Sequence, residues 1–110
     1  MKTFFALCAI ALASQVAAAD TKQEQGHAVF RYWCEPCHGR APYLPATAGL
    51  AIKYKGKIPG ALEDRKDLTP VAVKTFVRQG VFSMPPFRKT EISDADLDAL
   101  ATYLARRGSR

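Results

Sequence analysis

The sequence predicts an all-α fold, and three observations carry that prediction. Thr69 followed by Pro70 places a capping side chain and a first-turn proline ahead of Val73, Phe76 and Val77 at helical spacing, and Gly80 follows as a stop. Ser93 and Asp96 form a capping pair before Leu97, Leu100, Ala101 and Leu104, which fall on one helical face with Arg106 and Arg107 in the last turn. Long alternating apolar and polar runs, the mark of strands, are missing.

The remaining elements follow along the chain. Residues 1–19 (MKTFFALCAIALASQVAAA) read as a secretory leader, with Lys2 at the start, an apolar run from Phe4 to Ala13 and small residues at Ala17 to Ala19 before polar Asp20. The run is too short to span a bilayer, so a transmembrane anchor is not expected. An uncleaved amphipathic or anchoring segment is the other reading. Cleavage after Ala19 discards Cys8 and leaves residues 20–110 as one exported, periplasmic domain in an oxidising compartment. Residues 22–34 suit a first helix, with Ala28, Val29, Tyr32 and Trp33 around Gly26 and Phe30. Pro42 and Pro45 keep residues 39–46 irregular, a weak helix runs from Ala48 to Lys55 before Gly56, and Pro59 opens a short turn through Asp64. Residues 81–92 form a loop around Pro85 and Pro86.

A length of 110 residues allows one small domain and excludes large barrel and dinucleotide-binding architectures. At 48% apolar and 24% charged the chain is no disordered tail. A domain of this size often needs a disulfide, a metal or a cofactor to hold it together. Cys34 and Cys37 are three apart, too close for a disulfide that staples a domain.

They belong instead to Cys34-Glu35-Pro36-Cys37-His38, the C-x-x-C-H pattern of covalent haem attachment. Cysteines three apart lie about one helical turn from each other. Their thiols can reach the two vinyl groups on one porphyrin edge, and the next residue can offer its imidazole to the iron. One haem c, held by two thioethers, is therefore the expected cofactor, with His38 as an axial metal ligand. Met84 is the one methionine after the leader and sits in Ser83-Met84-Pro85-Pro86. A soft thioether opposite histidine raises the potential of cytochrome haem, and the prolines stiffen the loop that presents it, so Met84 is the expected sixth ligand rather than core filler. His27 lies on the helix that carries the motif and reads as a surface or packing residue.

Trp33-Cys34-Glu35-Pro36-Cys37 also resembles the W-C-x-P-C of thioredoxin-like redox sites. That chemistry needs a strand before the motif and a long helix after it, whereas here a helical pattern precedes it and GRAPYLP follows. A zinc site is weaker still, because adjacent Cys37 and His38 fit tetrahedral ligation poorly and no second cysteine pair exists.

The chain resembles small class I c-type cytochromes through Gly26-x-x-x-Phe30-x-x-x-Cys34-x-x-Cys37-His38-Gly39, then Val77-x-x-Gly80-x-x-x-Met84-Pro85, then a closing helix with Leu97, Leu100 and Tyr103. The resemblance implies a cytochrome c-like domain in which the first and last helices cross, Gly26 and Phe30 meeting Leu100 and Tyr103, with short helices and long loops around the haem. The stretch Met84 to Ser93 is similar to the cytochrome subunits of flavocytochromes of the p-cresol methylhydroxylase and eugenol hydroxylase type. The segment after His38 departs from the familiar pattern, because it lacks the glycine-rich run ending in Gly-Pro. The acceptor for the His38 ring N–H is then expected near Pro42 to Pro45.

The implied function is a periplasmic monohaem carrier of single electrons. Both axial positions are filled, so no enzyme activity is expected. Redox proteins are the partners, among them a flavoprotein dehydrogenase and a terminal oxidase or other acceptor. The alternatives are a permanent subunit of a flavoprotein dehydrogenase acting on phenolic substrates, and a sensor or peroxidase-like haem with a labile Met84. The formal charge is +6, with Lys53, Lys55 and Lys57 in one cluster, Arg78, Arg88 and Lys89 beside Met84, and Glu91, Asp94, Asp96 and Asp98 apart from them. Basic residues near a haem edge steer an acidic partner, and export argues against nucleic acid.

Overall fold

The computed structural model describes residues 2–108, with side chains from residue 15 onward. Its elements are α1 (Lys2–Val29), a π-helical turn (Phe30–Cys34), α2 (Glu35–His38), α3 (Pro45–Lys53), a 3₁₀ turn (Leu62–Asp64), α4 (Pro70–Gln79) and α5 (Asp94–Ala105). No strand occurs among the described residues; Val81 and Met84 form one isolated bridge.

Local chemistry accounts for α4 and α5 as expected. Thr69 Oγ1 accepts from the Ala72 N–H at 3.2 Å, and Pro70 begins α4. Gly80 ends it at φ +70°, in the left-handed region that glycine enters without strain. Ser93 Oγ accepts from the Asp96 N–H at 3.1 Å, with Asp94 and Asp96 in the positive first turn of α5. α5 ends at Ala105, so Arg106 and Arg107 fall just past it rather than in its last turn.

The first helix differs from expectation. It runs unbroken from Lys2 through the Ala19–Asp20 junction to Val29 instead of beginning near residue 22. The side chains of the Phe4 to Ala13 run and of Cys8 lie outside the described residues. Packing against α5 starts at Lys22, which pairs with Asp98, and continues at Gln25, whose amide donates to Asp96 at 2.9 Å. Residues 15–21 are exposed.

At Phe30 the helix widens. The Glu35 N–H reaches back to the Phe30 carbonyl, an i→i+5 bond. Pro36 explains the change: it has no N–H for the Tyr32 carbonyl, and its ring would strike that carbonyl in a regular helix. The extra residue per turn advances the following side chains by about 100° relative to a continuous α-helix.

α3 starts at Pro45, three residues before the expected Ala48. A proline at the first helical position costs no hydrogen bond, so the Pro42–Pro45 irregular stretch is shorter than the prolines suggest. Gly56, at φ +74°, lies three residues beyond its end.

α1 and α5 cross at Gly26. A methyl group there would lie 2.2 Å from the Ala99 carbonyl oxygen and 2.6 Å from Tyr103 Cβ. The backbones therefore touch, and Phe30 continues the seam with its ring 6.2 Å from that of Tyr103. The crossing is the expected one, with Ala99 rather than Leu100 facing the glycine. Phe30, Ile92 and Leu100 are the large side chains fully buried here, and α4 adds Val73 and Val77 to the same core. Burial of each large apolar side chain contributes roughly 1.5–3 kcal/mol.

Candidate functional site

The wide turn and α2 bring Trp33, Cys34, Cys37 and His38 to one cavity wall. α4 and α5 supply Val73, Val77, Leu100 and Leu104, and the loop after α4 supplies Met84. The cavity encloses about 590 Å³, within the roughly 300–1,000 Å³ usual for cofactor pockets. All four expected site residues, Cys34, Cys37, His38 and Met84, line it.

Each is placed differently. Cys34 is buried and Cys37 exposed, and both are free thiols. Burial, with a smaller contribution from Cys37, pushes the Cys34 thiol up to about 12. A thioredoxin-like nucleophile needs the opposite, a stabilised thiolate at a helix N-terminus preceded by a strand. His38 is half-buried, and its affinity for a proton is lowered first by burial and then by the Arg65 charge. It is thereby kept in the neutral form that binds metals. Its Nδ1 is buried and bonded to no protein atom. The expected carbonyl near residues 42–45 does not reach it.

Met84 is half-buried and packs against the apolar core. Its loop is held at several points. Val81 and Met84 exchange both backbone bonds, at 3.1 and 2.9 Å. The Phe87 N–H donates to the Val77 carbonyl at 2.8 Å, and Arg78 Nη1 donates to the Phe87 carbonyl at 3.1 Å. Gly80 permits the turn, because a methyl group there would lie 2.6 Å from the Met84 carbonyl oxygen.

The donor set suits an iron porphyrin. Two thiols and an imidazole lie on one wall, a thioether comes from a second element, and most of the lining is apolar. The other ring nitrogen of His38 is the one such an iron would take, and Nδ1 stays without a protein partner. Among the described residues no cluster of three or more His, Cys, Asp or Glu is placed to hold a bare metal ion. His27 lies off the cavity; its ring stacks on Tyr103 at 5.1 Å.

Several features escaped the sequence. Arg65 is buried at the cavity wall, bound to Asp67 through two bonds of 2.9 and 2.5 Å and stacked 5.2 Å from the Tyr54 ring centre. Glu63 is buried too, and accepts from the Tyr103 hydroxyl at 2.9 Å and from Arg40 at 3.4 Å. The basic group beside Met84 is not separate from the acidic one. Arg78 and Lys89 both pair with Asp94 at 2.9 Å, and Arg88 pairs with Glu91 at 3.1 Å.

The family model described as cytochrome C oxidase, cbb3-type, subunit III matches residues 21–104. No curated protein and no solved structure matched in the other comparisons.

Proposed function

Because this chain belongs to the family of cytochrome c oxidase, cbb3-type, subunit III, a small c-type cytochrome with covalently bound haem c and its iron, we propose that it is an exported monohaem carrier passing single electrons between redox proteins. The observation that carries this reading is the one cavity lined by Cys34, Cys37, His38 and Met84. Haem bound there supplies a one-electron ferric–ferrous couple. Cys34 and Cys37 would hold its edge as thioethers, and His38 and Met84 would fill the two axial positions. Arg65 and Tyr54, polar groups on a largely apolar wall, would face its carboxylate substituents. Phe87 packs edge-on to Trp33 at 5.7 Å and helps keep water from the pocket.

With His38 and Met84 as its two ligands the iron would have no position for a substrate, which supports a carrier rather than an enzyme. Export to the periplasm is supported by the leader-like residues 1–19 and by the exposure of residues 15–21 around the Ala19–Asp20 junction. Amino-terminal sequencing of the secreted protein should begin at Asp20. Lys53, Lys55 and Lys57 are the cationic group that would dock an acidic partner, because Arg78, Arg88 and Lys89 are already paired with Asp94 and Glu91. Association with the partner should slow as salt rises; a salt-independent rate contradicts this docking.

The function is tested by spectroelectrochemical titration of the purified protein. A reversible one-electron Nernst curve is expected, and a two-electron curve overturns the reading. A second reading, a permanent cytochrome subunit of a flavoprotein dehydrogenase acting on phenolic substrates, is favoured by the Met84 to Ser93 likeness and by Tyr43, Ile52 and Phe82, large apolar side chains 82%, 78% and 94% exposed. Copurification with a flavin subunit separates it from a diffusing carrier.

A further inference from the structure

Thr47 is a buried polar residue in the first turn of α3, ten positions after Cys37. Its Oγ1 donates to the Gly39 carbonyl at 2.6 Å and lies 3.4 Å from the Cys37 carbonyl. Those two carbonyls flank His38 in the chain. α2 is only one turn long, so its last carbonyls have no intrahelical partner. Gly39 then leaves the helix in extended conformation, at ψ −178°, and its carbonyl would be a buried orphan without the threonine.

Thr47 is itself braced from the far side. A methyl group at Gly60 would lie 2.3 Å from the Thr47 carbonyl oxygen, so the 57–61 segment passes directly behind it. His38, by contrast, has no protein partner at Nδ1 that could fix its ring. The peptides on either side of the imidazole are tied instead, both to the hydroxyl of Thr47. We propose that Thr47 is a positioning residue for His38, acting through the Gly39 and Cys37 carbonyls in place of a bond to the ring itself. The proposal rests on His38 being the iron ligand.

The test uses the haem-loaded protein with Thr47→Val, which keeps the shape and removes the proton, and Thr47→Ser, which keeps the hydroxyl. Proton NMR of the ferric protein reads the spread of the haem-methyl shifts, which depends on the plane of the axial imidazole. The valine variant should show a changed shift pattern and a shifted reduction potential, and the serine variant should restore both. A valine variant with the wild-type pattern and potential, however much less stable, overturns the proposal. If the valine variant takes up no haem, the loaded wild-type protein decides: the Thr47 hydroxyl proton should be protected from exchange and close to Gly39, and a freely exchanging proton overturns the proposal. A wild-type protein with no attached haem is a different failure, visible before any variant is made, and it removes the His38 reading together with this one.

Discussion

Replacement of Gly26 by alanine tests the crossing of α1 and α5. The added methyl group would meet the Ala99 carbonyl oxygen at 2.2 Å, the Ala99 carbonyl carbon at 2.7 Å and Tyr103 Cβ at 2.6 Å. Two of these atoms are backbone, so no side-chain rotation relieves the contact and one helix must move. Overpacking of this kind costs about 3 kcal/mol at the upper end of its usual range. Alanine returns about 1 kcal/mol through better helix propensity. The net loss is about 2 kcal/mol, which lowers the melting temperature of a domain this small by about 10 °C. Thermal unfolding of the haem-loaded protein, followed by far-ultraviolet circular dichroism, measures it. A Gly26→Ala variant as stable as wild type would show that the two backbones do not meet at this residue.

Met84→Ala should abolish the near-infrared sulfur-to-iron absorption and lower the reduction potential, read by absorption spectroscopy and electrochemical titration; an unchanged band excludes Met84 as ligand. Asp98 lies between Lys22 and Lys74, whose hydrogen bonds hold its carboxyl down at about 2 from an ordinary 3.8. Its folded value is depressed, so its contribution is present above about pH 4 and lost as pH falls through 2. The stability gap between wild type and Asp98→Asn, from urea titrations, should therefore close over that interval, and a constant gap refutes the pairing. Tyr103→Phe leaves the buried Glu63 carboxylate without its hydroxyl donor and should cost about 1.5–3 kcal/mol in urea unfolding. Burial, then the bond to Glu63, raises the Tyr103 hydroxyl from 10 to about 12. Wild type should accordingly lose stability relative to Tyr103→Phe as pH rises from 10 to 12, and a flat difference contradicts the buried contact.

What the sequence revealed depended on how local the cause was. α4 and α5 were legible because Thr69, Pro70, Gly80, Ser93 and Asp96 act within a turn of themselves. The chemistry of Cys34, Cys37 and His38 was legible for the same reason, since one pentapeptide contains it. The wide turn at Phe30–Cys34 was missed although its cause, Pro36, stands in the motif: a proline two residues into a new helix reads as tolerated, and its effect on the preceding turn is not a pattern of periodicity. The start of α3 is hidden because Pro45 reads as a breaker in sequence and stands in the fold as a first-turn residue. Glu63 looks like a solvated charge in its own segment, and only the fold brings Tyr103, forty positions away, to its carboxylate. The pairing of Arg78 with Asp94 likewise needs α4 and α5 side by side, and with Lys89 on the same carboxylate it ties the basic rim to the acidic group. Thr47 carried no signal at all, since its role exists only where α3 folds back on α2.

The central claim is that Cys34 and Cys37 carry a porphyrin whose iron His38 binds. Protein made in cells with a working haem-attachment system, purified and examined by absorption and intact mass, tests it most directly. The account predicts a reduced c-type band pair and a polypeptide heavier by one haem that survives denaturation. A colourless protein of unmodified mass would contradict it.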